Sequence, residues 1–173
     1  MNTIFSNTNE YNSPNDTCNF DIVFGHSQGA ILTAALLSAD DKFLECSPAL
    51  PRGYVLNGAA WPNPFGNSLV SLSKKRLSVT TEDAPTDSDI SKMPRMLFIM
   101  GKEDTINPIE SATQVHDAYN GAGFGVSIVN HDGGHSVPFG QDEDSTRALE
   151  EVVDWIMAIA LEKAATLTKE YCE

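Results

Sequence analysis

The stretch that decides the fold is FDIVFGHSQGA, Phe20 to Ala30. Its first half holds Ile22, Val23 and Phe24, a short apolar run of the kind that forms a strand buried on both faces of a parallel sheet. Its second half, Gly25-His26-Ser27-Gln28-Gly29, is a G-x-S-x-G pentapeptide, and Ala30 to Leu37 behind it is apolar on all sides, as a helix buried against a sheet should be. A sharp strand-to-helix turn holds the serine in a strained backbone conformation, so small residues two before and two after it keep the backbones from clashing. Gly25 and Gly29 meet that need. The turn lifts the hydroxyl above the strand end, at a helix N-terminus whose free N–H groups and positive dipole end favour a developing negative charge. Alone, the pentapeptide is more often a surface turn. Strand and helix on its two flanks are what favour a nucleophile.

Working outward, strands alternate with helices. The buried helix runs to about Ser38, Cys46 to Arg52 with its two prolines is a loop, and Gly53 to Asn57 reads as a second buried strand closed by Gly58. Met96 to Gly101 is a third strand, and a helix starting near Pro108 carries Ala112, Val115, Ala118 and Tyr119 on one face before Gly121-Ala122-Gly123 stops it. Gly125 to Asn130 is the fourth strand, followed by the loop His131-Asp132-Gly133-Gly134-His135. A last helix from Arg147 to about Thr168 places Leu149, Val152, Val153, Ile156, Ala160 and Leu167 at packing positions. This alternation predicts an α/β fold, a parallel sheet with right-handed crossovers flanked by helices in a three-layer sandwich.

Two segments fit less well. Met1 to Asn19 is polar and aperiodic and reads as a poorly ordered lead-in to one domain over 20–173. Residues from about 60 to 92 read as a lid-like insertion. Its apolar Trp61, Pro62, Pro64, Phe65, Leu69 and Val70 either line a substrate pocket or simply cover the core.

The 173 residues include 11 Lys and Arg against 24 Asp and Glu, a formal charge of -13, which makes nucleic acid and anionic membranes poor partners. No apolar run approaches the roughly 20 residues that span a bilayer, and the first residues lack the apolar core of a signal peptide. Cys18, Cys46 and Cys172 are odd in number and lack a C-x-x-C pair or a neighbouring His, so free thiols in the cytoplasm, with no metal and no cofactor, are expected.

Open parallel sheets hold ligands at the carboxyl ends of their strands. Three predicted strands end in Ser27, Asp104 and His135, the chain order of the α/β-hydrolase arrangement. A hydroxyl needs a base to remove its proton, an imidazole has the pKa to take and return it, and a carboxylate fixes the imidazole tautomer. The histidine has rivals. His26 adjoins the serine and shapes the pocket mouth, His116 reads as a surface residue of a helix, and His131 lies nearer the sheet. Gly133-Gly134 favours His135 by giving it freedom to turn back. Asp104 follows the third strand directly, while Glu103 points the other way and Asp132 is a rival or a turn former.

GHSQGA at Gly25 to Ala30, LFIMGKEDTINP at Leu97 to Pro108 and HDGGHSVP at His131 to Pro138 together resemble the FSH-type serine hydrolases of the α/β-hydrolase superfamily. The resemblance runs from Phe20 onward. It implies a Ser27, Asp104, His135 triad that hydrolyses small or medium acyl esters or thioesters through an acyl-enzyme. The backbone N–H of Gln28 would serve the oxyanion hole, and His26, Trp61, Phe65 and Pro138 are candidates for the substrate pocket. An acyl-transfer reaction and a catalytically silent interaction module are the competing readings.

Nothing before Phe20 matches the leucine-His-Gly type loop that supplies the family's second oxyanion donor, a loss of about two to three orders of magnitude in turnover. The N-terminal strands thus read as absent, leaving Phe20 to Phe24 as an apolar edge. Either the chain is truncated, or Met1 to Asn19 or another subunit, as in a homo-oligomer, covers that edge.

Overall fold

The computed structural model describes residues 21–39, 51–64, 66–77 and 94–170, with 39, 72–77 and 163–170 described in backbone only. The lead-in, the three cysteines, Phe65 and the acidic stretch up to 93 lie outside the described residues.

Strand β1 (Ile22–His26) runs into helix α1 (Gln28–Ala39), then come β2 (Gly53–Asn57), α2 (Gly66–Leu77), β3 (Arg95–Gly101), α3 (Ile109–Gly121), β4 (Gly125–His131) and α4 (Glu143–Glu170). The strands form one parallel sheet in the order β1-β2-β3-β4. In register, His26 lies beside Asn57, Asn57 beside Ile99, and Gly101 beside His131, so the carboxyl ends of all four share one margin.

Side-chain alternation along each strand divides the core into two layers. Leu56, Phe98 and Met96 point to the face covered by α1, α2 and α3, where they meet Ala30, Leu69, Val115 and Tyr119. Val55, Leu97, Ile99 and Val129 point to the other face and meet Ala148 and Val152 of α4. Burying side chains of this size contributes about 1.5–3 kcal/mol each. In α3 the buried residues are Ala112, Val115, Ala118 and Tyr119, the face the spacing predicts. The Tyr119 hydroxyl donates to the Ala34 carbonyl at 2.6 Å, which satisfies the one polar group that this packing buries with the ring.

The structure departs from the sequence expectations in five places. First, β1 is not buried on both faces: Phe24 is 48% exposed, and Leu32 and Leu36 of the apolar α1 are 58% and 43% exposed. The physical reason is position, since β1 is the outermost of the described strands and none of them pairs with its outer side. Second, the aperiodic segment after Trp61 contains a helix, α2, whose Leu69 joins the core.

Third, α4 begins before Arg147, because Asp142 caps it. The Ser145 N–H donates to Asp142 Oδ1 at 2.7 Å and the Asp142 N–H donates back to Ser145 Oγ at 3.1 Å, a reciprocal cap that favours starting there. Val153 and Ala160, expected to pack, are exposed on this helix, and Ile159 is the residue buried there. Fourth, His116 is only partly at the surface. It is half-buried and stands edge-on to Phe98, with ring centroids 5.5 Å apart. Fifth, His131 is the last residue of β4 rather than part of the loop.

Candidate active site

Ser27 follows β1 directly with φ 54°, a left-handed conformation that side chains other than glycine adopt at a cost of about 1–3 kcal/mol. Neighbouring bonds hold it there. Its N–H donates to the Asn57 carbonyl at 2.9 Å, and its own carbonyl accepts the Ile31 N–H at 3.1 Å as the first bond of α1. A Cβ on Gly25 would come within 2.9 Å of the Ala30 backbone, so glycine is required there. At Gly29 an added Cβ meets nothing within 4 Å, which corrects the expectation that both glycines relieve a clash. The start of α1 folds back over Gly25, while Gly29 lies exposed.

Asp104 stands beyond the end of β3 and is only 6% exposed. Its Oδ1 accepts the N–H groups of Ile106 at 2.9 Å and Asn107 at 2.8 Å, and its Oδ2 pairs with His135 Nδ1 at 2.7 Å. Burial pushes this carboxyl up, but the bonds from Asn107, His135 and Ile106 outweigh it and hold the group below the usual carboxylate range. Glu103, next to it, is exposed.

His135 completes the chain, with Nε2 2.8 Å from Ser27 Oγ. A carboxylate can only accept, so Nδ1 carries the hydrogen and Nε2 presents its lone pair to the serine hydroxyl. The loop reaches this position for a reason other than the one expected. Neither Gly133 nor Gly134 has a positive φ. The loop lies so close to β3 that a Cβ on Gly101 would come within 2.1 Å of the Gly134 carbonyl oxygen, and Gly101 is what makes room.

The rival residues stand elsewhere. His131 is 3% exposed, and burial holds its imidazole below the ordinary histidine range. Asp132 pairs with Lys102. His26 is exposed, its ring centroid 5.1 Å from that of His135, and its Nδ1 lies 2.7 Å from Asn57 Nδ2.

The pocket candidates do not form one group. Trp61 packs against the core and donates its N–H to Ser111 Oγ at 2.8 Å. Pro138 lines a cavity of about 530 Å³ with His131 and Phe139, apart from Ser27, Asp104 and His135. His26 alone, among the described candidates, adjoins the hydrogen-bonded chain. Gln28 opens α1, where the first N–H groups have no acceptor within the helix. Sequence reasoning missed Gly58 and Asn107. A glycine closing a strand, here at φ 58°, and an Asn three residues after the acid were the available signals.

Among the described residues no group of three or more His, Cys, Asp or Glu could hold a metal ion, and no helix is long and apolar enough to cross a membrane.

A parallel sheet flanked by helices, with a serine in a strained turn between strand and helix, defines an α/β-hydrolase fold. The chain belongs to the serine hydrolase (FSH1) family, whose pattern matches residues 5–146. That span starts upstream of Phe20 and ends inside α4. No curated protein matches the sequence. Solved structures of similar fold include SOBER1 of Arabidopsis thaliana, with TM-score 0.50 and 18% identity over 80% of this chain and 53% of that one. The α/β hydrolase MGS-M1 from a deep-sea metagenome has TM-score 0.50 and 16% identity, with the same two coverages of 80% and 53%. Esterase B from Lactobacillus Rhamnosis has TM-score 0.53 and 10% identity over 86% of this chain and 56% of that one. The chain thus spans about half the length of these structures.

Proposed function

We propose that the protein is a serine esterase or thioesterase that cleaves small or medium acyl esters through an acyl-enzyme. The observation that carries this reading is the unbroken hydrogen-bonded chain from Ser27 Oγ through His135 to Asp104, at 2.8 and 2.7 Å. Ser27 attacks the acyl carbonyl as His135 Nε2 takes its proton, and the imidazolium is stabilised by Asp104. The proton then passes to the leaving alcohol or thiol. Water repeats the sequence to release the acid. The Gln28 N–H donates to the oxyanion at the positive end of α1. His26, exposed beside His135, is assigned to the mouth of the substrate pocket, and no cofactor takes part.

A fluorophosphonate probe tests the reading. A covalent adduct on Ser27 of the folded protein, absent in Ser27→Ala, is expected, and an inert wild type would refute it. The second reading is a weakly active or silent interaction module derived from a hydrolase, which would keep the same three residues in place. Ready labelling without measurable turnover of any ester would favour it. The three cysteines, odd in number and without pairing motifs, support a cytoplasmic setting.

A further inference from the structure

β2 carries no member of the Ser27, His135, Asp104 chain, yet its last residue, Asn57, and Gly58 just after it reach all three. The Asn57 carbonyl accepts the Ser27 N–H. Gly58, at φ 58°, lies so close to the imidazole that an added Cβ would sit 2.9 Å from His135 Cε1 and 3.1 Å from Nδ1. The Gly58 N–H donates to the Ile99 carbonyl at 3.1 Å, which pins this turn to β3. The third arm runs through Asn107, whose Nδ2 donates to the Gly58 carbonyl at 2.6 Å. A carbonyl oxygen can only accept, so the chemistry itself fixes which end of the Asn107 amide faces it.

Asn107 therefore has two separate jobs. Its backbone N–H and that of Ile106 hold Asp104 Oδ1, which orients the carboxylate within its own loop. Its side chain ties that loop to the turn on which His135 rests. The first bond is local and survives if the loop moves as a body. The second sets where the loop stands over the sheet, and with it the distance from carboxylate to imidazole.

We infer that Asn107 is a positioning residue for the acid of this site, a role that rests on the hydrolase reading above. Asn107→Leu removes the side-chain donor and keeps the backbone N–H. Asn107→Ala, smaller and equally without a donor, is the second variant should the first fail to fold. Each is made in the wild type and in Asp104→Asn, and the rate constant for phosphonate labelling of Ser27 is measured. We expect labelling to slow about tenfold to a hundredfold in the wild type, since small misplacements of a catalytic group cost that much. In Asp104→Asn the same change should stay within about twofold, because residues that act through one another are not additive. Equal slowing in both backgrounds would mean a merely structural role and would overturn the inference, as would an unchanged rate in the wild type. Proton NMR of the low-field His135 Nδ1–H signal is an independent readout. Its shift or loss in Asn107→Leu with unchanged circular dichroism is expected, and an unchanged signal would overturn the inference. A wild type that shows this signal but does not label would sink the hydrolase reading and leave the positioning claim to be decided by the NMR alone.

Discussion

Strand β1 meets opposite surroundings at its tip and along its outer side. At the tip, Ser27 is bonded through its N–H, its carbonyl and its hydroxyl, to Asn57, Ile31 and His135. Along the outer side no described strand pairs with it, Phe24 stands half in solvent, and Leu32 and Leu36 of α1 are exposed beside it. On the face to which Phe24 points, Val153, Met157 and Leu161 of α4 are exposed as well. The groups that hold the site come from β1, from the first turn of α1 and from the β2, β3 and β4 side. The comparison teaches that the chemistry and the unfinished burial are separable: a change at one should leave the other nearly untouched.

The sharpest way to break that separation is at the tip. Asp104→Asn should lower ester turnover by about three to four orders of magnitude with little change in labelling-competent fold, read from steady-state kinetics beside circular dichroism. Gly58→Ala comes next. Its Cβ would press on His135 from a backbone at positive φ, and we expect phosphonate labelling to slow about a hundredfold. An unaffected rate would show that the imidazole is not held by that turn.

The outer side supplies the converse test. Phe24→Lys should leave labelling within about twofold, because surface substitutions away from such contacts change stability by no more than about 0.5 kcal/mol. If the exposed edge associates with a second copy, the wild type sediments as a dimer and Phe24→Lys as a monomer. A wild type that sediments as a monomer, with β1 amides exchanging freely, would break that expectation.

The smallest effect is on pH dependence. Burial holds His131 below its ordinary range, so the unfolded chain takes up the proton first as pH falls through about 6.5. Stability is full above that value and declines as pH falls toward the lower native one. Asp104 adds the same sign further down, its contribution present above about pH 3.9 and lost as pH drops through the depressed native value. Urea midpoints measured between pH 7 and 5 should fall in the wild type and flatten in His131→Phe, whereas a slope that survives the substitution would assign the titration elsewhere.

What could be read from the sequence was local. The four strands, α1 and α3 followed from apolar runs between glycines and prolines, and Ser27, Asp104 and His135 each ended a run. What could not be read depended on contacts between distant segments. Gly58 looks like punctuation until its Cα is seen against His135, 77 positions later, and Asn107 is one loop residue among several until its amide meets the Gly58 carbonyl. α2 was hidden because its core contact rests on Leu69 amid polar residues, too sparse a pattern to show a period. The early start of α4 lay in a cap, Asp142 with Ser145, rather than in the apolar spacing that was followed.

Among the described residues the order of strands in space is the order of strands in the chain. Each described pairing joins sequence neighbours through a crossover that carries a helix, so a polypeptide emerging from its N-terminus can lay down these strands one after another on a growing edge. Ser27 follows the first described strand, whereas His135, its hydrogen-bond partner, follows the last. A half-made chain therefore carries the serine hydroxyl without the imidazole to which it is bonded in the finished sheet.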